Sequence, residues 1–364
     1  MGLSIAPRAS WIDHLRSTVT LLVIAHHAAL AYTAFSTFDP SVYILSTHPV
    51  VDKVRWPLLD FFVGFNDAFF MPLMFLISGV FTLTAIKRKG ARIFMKDRFR
   101  RLFIPFILAV TILMPIAYYP AWLLSGRSGI TSYLIDYFTV EAWPVGPPWF
   151  IWVLFLFNLL IVILPKNILT RPRKPIITLI VITVLLYTPA ALLFGSYTWT
   201  GIGPFDFQKS RLLLYFGYFL TGAALGTSLD RHLKKWPWWM AAAVALYIIE
   251  TFFIPEGSLP HIIIFPLITA TASIAFLALF KALSNNDHRI WRSLSANAYG
   301  MYLTHYIFVV WCQYALLNID VPAAIKFFIT FIVSVAASWL ITKNKSPRMS
   351  GGQLKQNLNL TMFF

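Results

Sequence analysis

The sequence predicts an all-α, polytopic integral membrane protein with about ten transmembrane helices. Of the 364 residues, 58% are hydrophobic and 12% are charged, whereas charged residues make up about 25% of soluble domains. The hydrophobic residues form long runs, and about 20 consecutive apolar residues are enough to cross a bilayer. Ten such runs lie at approximately residues 17–37, 58–86, 102–124, 147–164, 176–194, 210–228, 237–254, 261–281, 296–317 and 321–342.

The basic residues predict that both ends of the chain lie in the cytoplasm. With an inward N-terminus, the segments on the cytoplasmic side hold 24 of the 30 lysines and arginines, as the positive charge of inner loops requires. The net charge of +16 is then a consequence of topology. We expect no nucleic-acid partner, because the basic residues lie between apolar runs and not on the face of a soluble module. The expected location is a bacterial-type cytoplasmic (inner) membrane, with the lipid bilayer as surroundings.

Residues 1–345 are predicted to form one transmembrane domain, and the polar, aperiodic residues 346–364 a disordered tail. The only cysteine, Cys312, excludes an intramolecular disulfide and a multi-cysteine metal site. The sequence has no phosphate loop ending in GK[ST], no HExxH and no Cys/His cluster. We therefore expect neither ATP nor a metal as a cofactor.

The first helix carries the most informative ionisable residues. Arg16 and His27 are 11 residues apart, so they lie within roughly 20° of each other on the helix and are separated by about 16 Å along its axis. Arg16 is expected at the cytoplasmic boundary, paired with Asp13, and His27 near mid-membrane. Ionisable groups inside the membrane are costly and mark functional sites. His26 faces about 100° away and is predicted to be structural.

A neutral imidazole at His27 is suited to act as a general base, since its usual pKa of about 6.5 is close to working pH. It could take the proton of a hydroxyl group that attacks a thioester. The alternative is a histidine that bonds a neighbouring helix.

A dense basic cluster lies at the predicted inner start of the third helix. Eight basic residues occur between residues 87 and 101, among them Arg98 and Arg101. Planar guanidinium groups suit the phosphate and pyrophosphate of coenzyme A. The alternative is that the cluster only fixes topology.

Several motifs together resemble the membrane acyltransferase-3 family. They are Arg16-x10-His27, FMPLMFLISG at residues 70–79, Arg98-x-x-Arg101 followed by Pro105, PWFIWVL at 148–154, and SANAYGMYLTH at 295–305. They occur in the family's order, and the resemblance covers roughly residues 8–342. Residues 66–81 and 147–160 are more similar to the glucan-biosynthesis succinyltransferase branch than to the O-antigen acetyltransferase branch.

The resemblance implies an O-acyltransferase that moves an acetyl or succinyl group from cytoplasmic acyl-CoA to a sugar, glycan or glycolipid. It implies a ten-helix core, His27 as the essential base, and Arg16, Arg98 and Arg101 at the acyl-CoA site. With them we group Asp13 as the partner of Arg16 in the catalytic set.

Four further residues are candidates for binding the acceptor. Asp67 lies near the outer end of the second helix, Trp149 opens the fourth, and Asn158 and His305 lie in the fourth and ninth. The alternatives are a helix cap for Asp67 and hydrogen bonds between helices for Asn158 and His305.

A secondary transporter or glycan exporter is the competing class. Such proteins tend to have inverted repeats and helices broken by Gly or Pro in corresponding halves, and neither pattern is evident here. A scaffold protein would not need Arg16 and His27 on one face.

Overall fold

The computed structural model describes residues 10–141, 143–165, 171–226, 229, 233–283 and 289–343. The helices are α1 Ser10–Leu30, α2 Pro57–Val80, α3 Thr82–Lys89, α4 Ala91–Arg98, α5 Ile104–Leu108, α6 Met114–Leu124, α7 Ile130–Thr139, α8 Trp149–Ile163, α9 Pro175–Phe194, α10 Lys209–Leu225, α11 Trp236–Phe253, α12 Leu259–Leu283, α13 Arg289–Leu316 and α14 Ala323–Lys343. The predicted tail at 346–364 lies outside the described residues.

Each predicted membrane segment overlaps a helix. Within the described residues, six helical stretches are long and apolar enough to cross a membrane: Pro57–Lys89, Ala91–Leu124, Pro175–Phe194, Trp236–Phe253, Leu259–Leu283 and Ala323–Lys343. The α-helical membrane architecture is therefore confirmed. Ten crossings with both ends inside stay a prediction.

The first helix, α1, spans Ser10–Leu30 and so begins and ends seven residues before the predicted segment 17–37. The chain turns back after Leu30, and the amide of Asp52 donates to the carbonyl of Ala31 at 2.9 Å. Arg55 donates from Nη1 to the carbonyl of Thr33 at 2.7 Å. Arg55 also donates to the carbonyls of Ala31 and Ser36, so its guanidinium holds the segment that follows the helix.

Two connections between predicted membrane segments contain structure that the apolar pattern did not predict. α7 lies between the predicted segments 102–124 and 147–164, and its residues Tyr133 and Tyr137 are buried. Between α9 and α10, the strand β1 (Trp199–Thr200) pairs antiparallel with β2 (Phe207–Gln208). Both elements are too short to give a membrane-length apolar run.

α2 is the central helix, and it packs against α1, α10 and α12. Its contact with α10 is close: a Cβ added at Gly79 would lie 2.1 Å from the Phe219 carbonyl oxygen, and one at Gly222 2.0 Å from that of Leu76. Small residues allow helices to approach in this way inside a membrane. The contact places the upstream parts of α2 and α10 side by side.

Pro72 lies inside α2 without breaking it. Proline has no amide hydrogen, so the carbonyl of Ala68, four residues earlier, loses its helical partner. Thr269 of α12 donates its hydroxyl to that carbonyl at 2.8 Å. The neighbouring helix therefore supplies the missing hydrogen bond, as is needed where no water is available.

Candidate functional site

α1 and α13 pack side by side and carry the two ends of the candidate site. At one end Arg16 Nη2 lies 3.5 Å from the carbonyl oxygen of Ser295. At the other end the ring centroids of His27 and His305 are 5.4 Å apart. Arg16 and His27 are 11 residues apart on α1, and Ser295 and His305 are 10 apart on α13, which correspond to about 16 and 15 Å along the helices. The two helices are therefore parallel, and Arg16 and His27 face the same neighbour, as their spacing predicts.

The His27 side chain lies in the last turn of α1, among aromatic and imidazole rings. Its ring makes an edge contact with Tyr306, with centroids 5.1 Å apart. Among the described residues, its Nδ1 is buried and has no hydrogen-bond partner. The side chain as a whole remains partly exposed. His27 is thus partly exposed, and no hydrogen bond at Nδ1 fixes its tautomer.

His305 is buried beside His27 and has a defined tautomer. Its Nδ1 lies 2.7 Å from the carbonyl oxygen of Tyr302. A carbonyl only accepts, so Nδ1 carries the hydrogen and Nε2 of the neutral ring carries a lone pair. Within the described chain, that Nε2 is buried without a hydrogen-bond partner. The bond expected between helices is instead made to its own helix, and Nε2 is left as an acceptor next to His27.

The connection between α1 and α2 adds a residue that the sequence did not indicate. His48 is 1% exposed, and its Nε2 lies 2.7 Å from Gln313 Oε1. Gln313 in turn donates Nε2 to the backbone carbonyl of His27 at 3.0 Å. Burial lowers the pKa of His48 to about 4, so it is neutral near pH 7. This bridge fixes the end of α1 by its backbone, without using the His27 ring.

His26 faces the other side of α1, as its rotation predicts. Its ring stacks on Phe70 of α2, with centroids 5.1 Å apart, and the side chain is 8% exposed. Phe70 is 13 residues into α2, about 20 Å along that helix. His27 is in the last turn of α1, but along the bundle axis it lies beside the middle of the longer helical stretch Pro57–Lys89.

The Arg16 end is held by polar contacts. The predicted pair with Asp13 is present, with Nη2 3.1 Å from Oδ1. Ser17 Oγ and Ser295 Oγ are 2.7 Å apart, and Ser295 also donates to the carbonyl of Asp13 at 3.1 Å. These contacts attach the start of α1 to the first turns of α13.

Arg98 and Arg101 line one small pocket, together with Ala85, Lys89, Phe94 and Asp97. Arg98 is 3% exposed, and its guanidinium lies 4.8 Å from the centre of the Phe94 ring. Arg101 is partly exposed. The structure therefore brings the two arginines together, but Arg98 is more deeply placed than its position at an inner helix start suggests.

Tyr299 connects this pocket to the Arg16 end. Its hydroxyl donates to the carbonyl of Arg101, which has lost its helical donor because Pro105 has no amide hydrogen. The backbone here forms a π-helical turn at Phe99–Phe103, a feature common at functional sites. Tyr299 is one turn beyond Ser295, about 6 Å along α13. α13 thus places Arg16 and Arg101 at the same end of the bundle.

Two of the predicted acceptor residues lie near α10. Asp67 Oδ2 is 2.7 Å from Arg211 Nη2, and Trp149 packs against Tyr215 with ring centroids 5.6 Å apart. No sequence motif singles out Arg211, although its position inside the predicted helix 210–228 is a signal of function. It is 2% exposed.

Asn158 does not join either group in the described part of the chain. Its side chain is 1% exposed and donates Nδ2 to the carbonyl of Leu154, in its own helix, at 2.7 Å. This bond is within α8 and so differs from the interhelical bond considered above.

The chain was compared with known proteins. A family model described as an acyltransferase domain matches residues 9–343. No curated protein and no solved structure matches the chain.

Proposed function

The chain belongs to the acyltransferase-3 family and is a membrane acyltransferase. We propose that it moves an acetyl or succinyl group from cytoplasmic acyl-CoA to a hydroxyl group of a sugar, glycan or glycolipid. The observation that carries the proposal is the α1–α13 pair, which holds Arg16 at one end and the His27–His305 pair about 16 Å away. An anion-binding end and a proton-accepting end are what transfer from a nucleotide thioester needs.

His27 is proposed to act as the general base. Its neutral ring accepts the proton of the acceptor hydroxyl while the hydroxyl oxygen forms a bond to the thioester carbon. The carbon–sulfur bond then breaks, and the coenzyme A thiolate leaves and takes up the proton held by His27, which returns the ring to its neutral form. His27 is favoured over His305 because it is partly exposed, whereas His305 is fully buried. The Nε2 of His305 supplies a buried lone pair beside a protonated His27, since the two ring centroids are 5.4 Å apart.

Arg16, Arg98 and Arg101 are proposed to bind the phosphates of acyl-CoA. Their shared location at one end of α13 supports this role, and so does the fork geometry of guanidinium groups. Asp13 orients Arg16 through their ion pair. Because Arg98 is buried against Phe94, we expect Arg101 and Arg16 to make the direct phosphate contacts and Arg98 to add positive charge behind them.

The proposed topology has ten crossings with both ends in the cytoplasm of a bacterial-type inner membrane. The parallel run of α1 and α13, the first and ninth predicted crossings, supports it because odd-numbered crossings share one direction. A reporter fused to the C-terminus is expected to give a cytoplasmic signal. A signal from the outer side would mean that the number of crossings is odd.

Acyl transfer is tested with the purified full-length protein in lipid nanodiscs. Radiolabelled acetyl-CoA and succinyl-CoA are supplied separately with candidate glycans, and both free thiol and labelled glycan are measured. The proposal expects thiol release matched by label in the glycan. The resemblance to the glucan-biosynthesis branch favours succinyl-CoA. Absence of acyl-CoA-dependent labelling with every acceptor would contradict the donor proposed here.

A further inference from the structure

We propose that Asp67 and Arg211, with the aromatic wall of Trp149, Trp199 and Tyr215, form a subsite that binds a neutral sugar ring of the acceptor. This inference rests on the proposed function, since the sugar is taken to be the acceptor of that reaction. It assigns a role to Arg211, which no motif indicated.

The ion pair leaves hydrogen-bonding capacity unused at a buried position. Arg211 is 2% exposed; its Nη2 lies 2.7 Å from Asp67 Oδ2, and its Nη1 donates to the Asp67 carbonyl at 3.3 Å. Its Nε is buried and has no hydrogen-bond partner among the described residues. Leaving a charged donor unsatisfied away from water is expensive. A ligand that accepts a hydrogen bond would satisfy this donor.

The partner of Arg211 is open to a ligand. The Asp67 side chain is 35% exposed, and a carboxylate has about four acceptor positions. The pair therefore offers a donor and an acceptor side by side. Each hydroxyl of a sugar both donates and accepts, so two adjacent hydroxyls match this arrangement. A simple anion would be repelled by Asp67.

Aromatic side chains extend from this pair toward the outer connection. Tyr215 is one helical turn from Arg211 on α10, and Trp149 packs on it at 5.6 Å. Trp149 in turn contacts Trp199 of β1 at 5.5 Å. Trp199 is 44% exposed. Tyr215 is 2% exposed and supports the two tryptophans from behind. The half-exposed ring of Trp199 can pack against the apolar face of a sugar ring while the sugar's hydroxyls reach polar groups.

The subsite is close to the proposed base. Asp67 precedes Phe70 by three residues, about 4.5 Å along α2, and Phe70 stacks on His26, the neighbour of His27. The subsite therefore lies on the His26 side of α1, and the sugar has to extend past the His26 ring, which is 5.4 Å from that of His27, to present a hydroxyl to His27.

The test measures binding of three probes, radiolabelled glucose, maltose and cellobiose, to full-length protein in nanodiscs. Asp67→Asn and Arg211→Lys are each expected to weaken binding of the best probe about 10-fold or more, because a charge-assisted hydrogen bond is lost or misaligned. Acyl-CoA affinity should be unchanged.

Trp199→Ala tests the subsite even if Asp67→Asn and Arg211→Lys fail to fold. It removes an exposed ring and should weaken sugar binding by roughly 5-fold. Trp238→Ala is its matched control, since Trp238 is 75% exposed and belongs to α11; it should leave binding unchanged.

Two results would overturn the inference: no binding of any of the three sugars by the unaltered protein, or equal binding by the Trp199→Ala variant and by whichever of the other two variants fold. Either result would leave the proposal of acyl transfer unaffected. Conversely, variant-sensitive sugar binding without any release of thiol from acyl-CoA supports the subsite and contradicts the proposed function.

Discussion

Replacement of His27 by alanine separates a catalytic role from a structural one. The backbone of His27 is held by Gln313, and the ring itself makes edge contacts with His26 and Tyr306 and lies beside His305. Loss of a partly exposed ring with these contacts should lower the free energy of unfolding by about 1 to 2 kcal/mol. The protein should therefore fold and still bind acyl-CoA.

The expected loss of activity is much larger than the loss of stability. A general base contributes about 10²- to 10⁴-fold, equivalent to about 3 to 5.5 kcal/mol of activation free energy. The assay is single-turnover transfer from radiolabelled acyl-CoA, with acyl-CoA affinity and melting temperature measured on the same preparation. The rate should fall at least about 100-fold with little change in affinity.

His26→Ala is the matched control. The His26 ring is more buried and stacks on Phe70, so its removal leaves a cavity and should cost more stability than His27→Ala. Its effect on the rate should nevertheless stay below about 10-fold. If His27→Ala keeps more than about a tenth of the rate, the base lies elsewhere. His305→Gln would then be the next variant to measure.

Three further predictions concern other parts of the chain. Arg98→Lys and Arg101→Lys keep the charge but lose the planar fork; each should weaken acyl-CoA binding in equilibrium titrations, and unchanged affinity for both would mean that the pair only fixes topology. Asp52→Asn leaves the ammonium of Lys326, 2% exposed and 2.7 Å from Asp52, without its counter-charge; a loss of about 3 to 5 kcal/mol should appear as a large drop in melting temperature, and a drop below 2 °C would contradict this. The pKa of His48 is lowered to about 4 in the folded protein, so between pH 4 and 6.5 the unfolded chain binds more protons than the folded protein does. The melting temperature should therefore rise with pH across that window, and His48→Asn should flatten this rise.

The membrane helices could be predicted from the sequence because they depend on local information. An apolar run of sufficient length needs no knowledge of its neighbours, and all ten predicted segments overlap helices in the structure. Helical periodicity also put Arg16 and His27 on one face, and both contact α13. The end of α1 was misplaced because the apolar run continues past Leu30, whereas residues 31–36 lie outside the helix and bond to Arg55 of the returning loop, which no local pattern records.

The composition of the candidate site was decided by helix packing. His305 lies 278 positions from His27 and Arg211 lies 144 from Asp67, yet the first pair is in ring contact and the second is ion-paired. Periodicity gives the face on which a residue lies, but it does not say which helix covers that face. In a membrane, that choice depends on close approach at small residues such as Gly79 and Gly222 and on bonds to freed carbonyls. These interactions join distant parts of the chain, so only the tertiary structure could show that Arg211 pairs with Asp67 and that His305 lies beside His27.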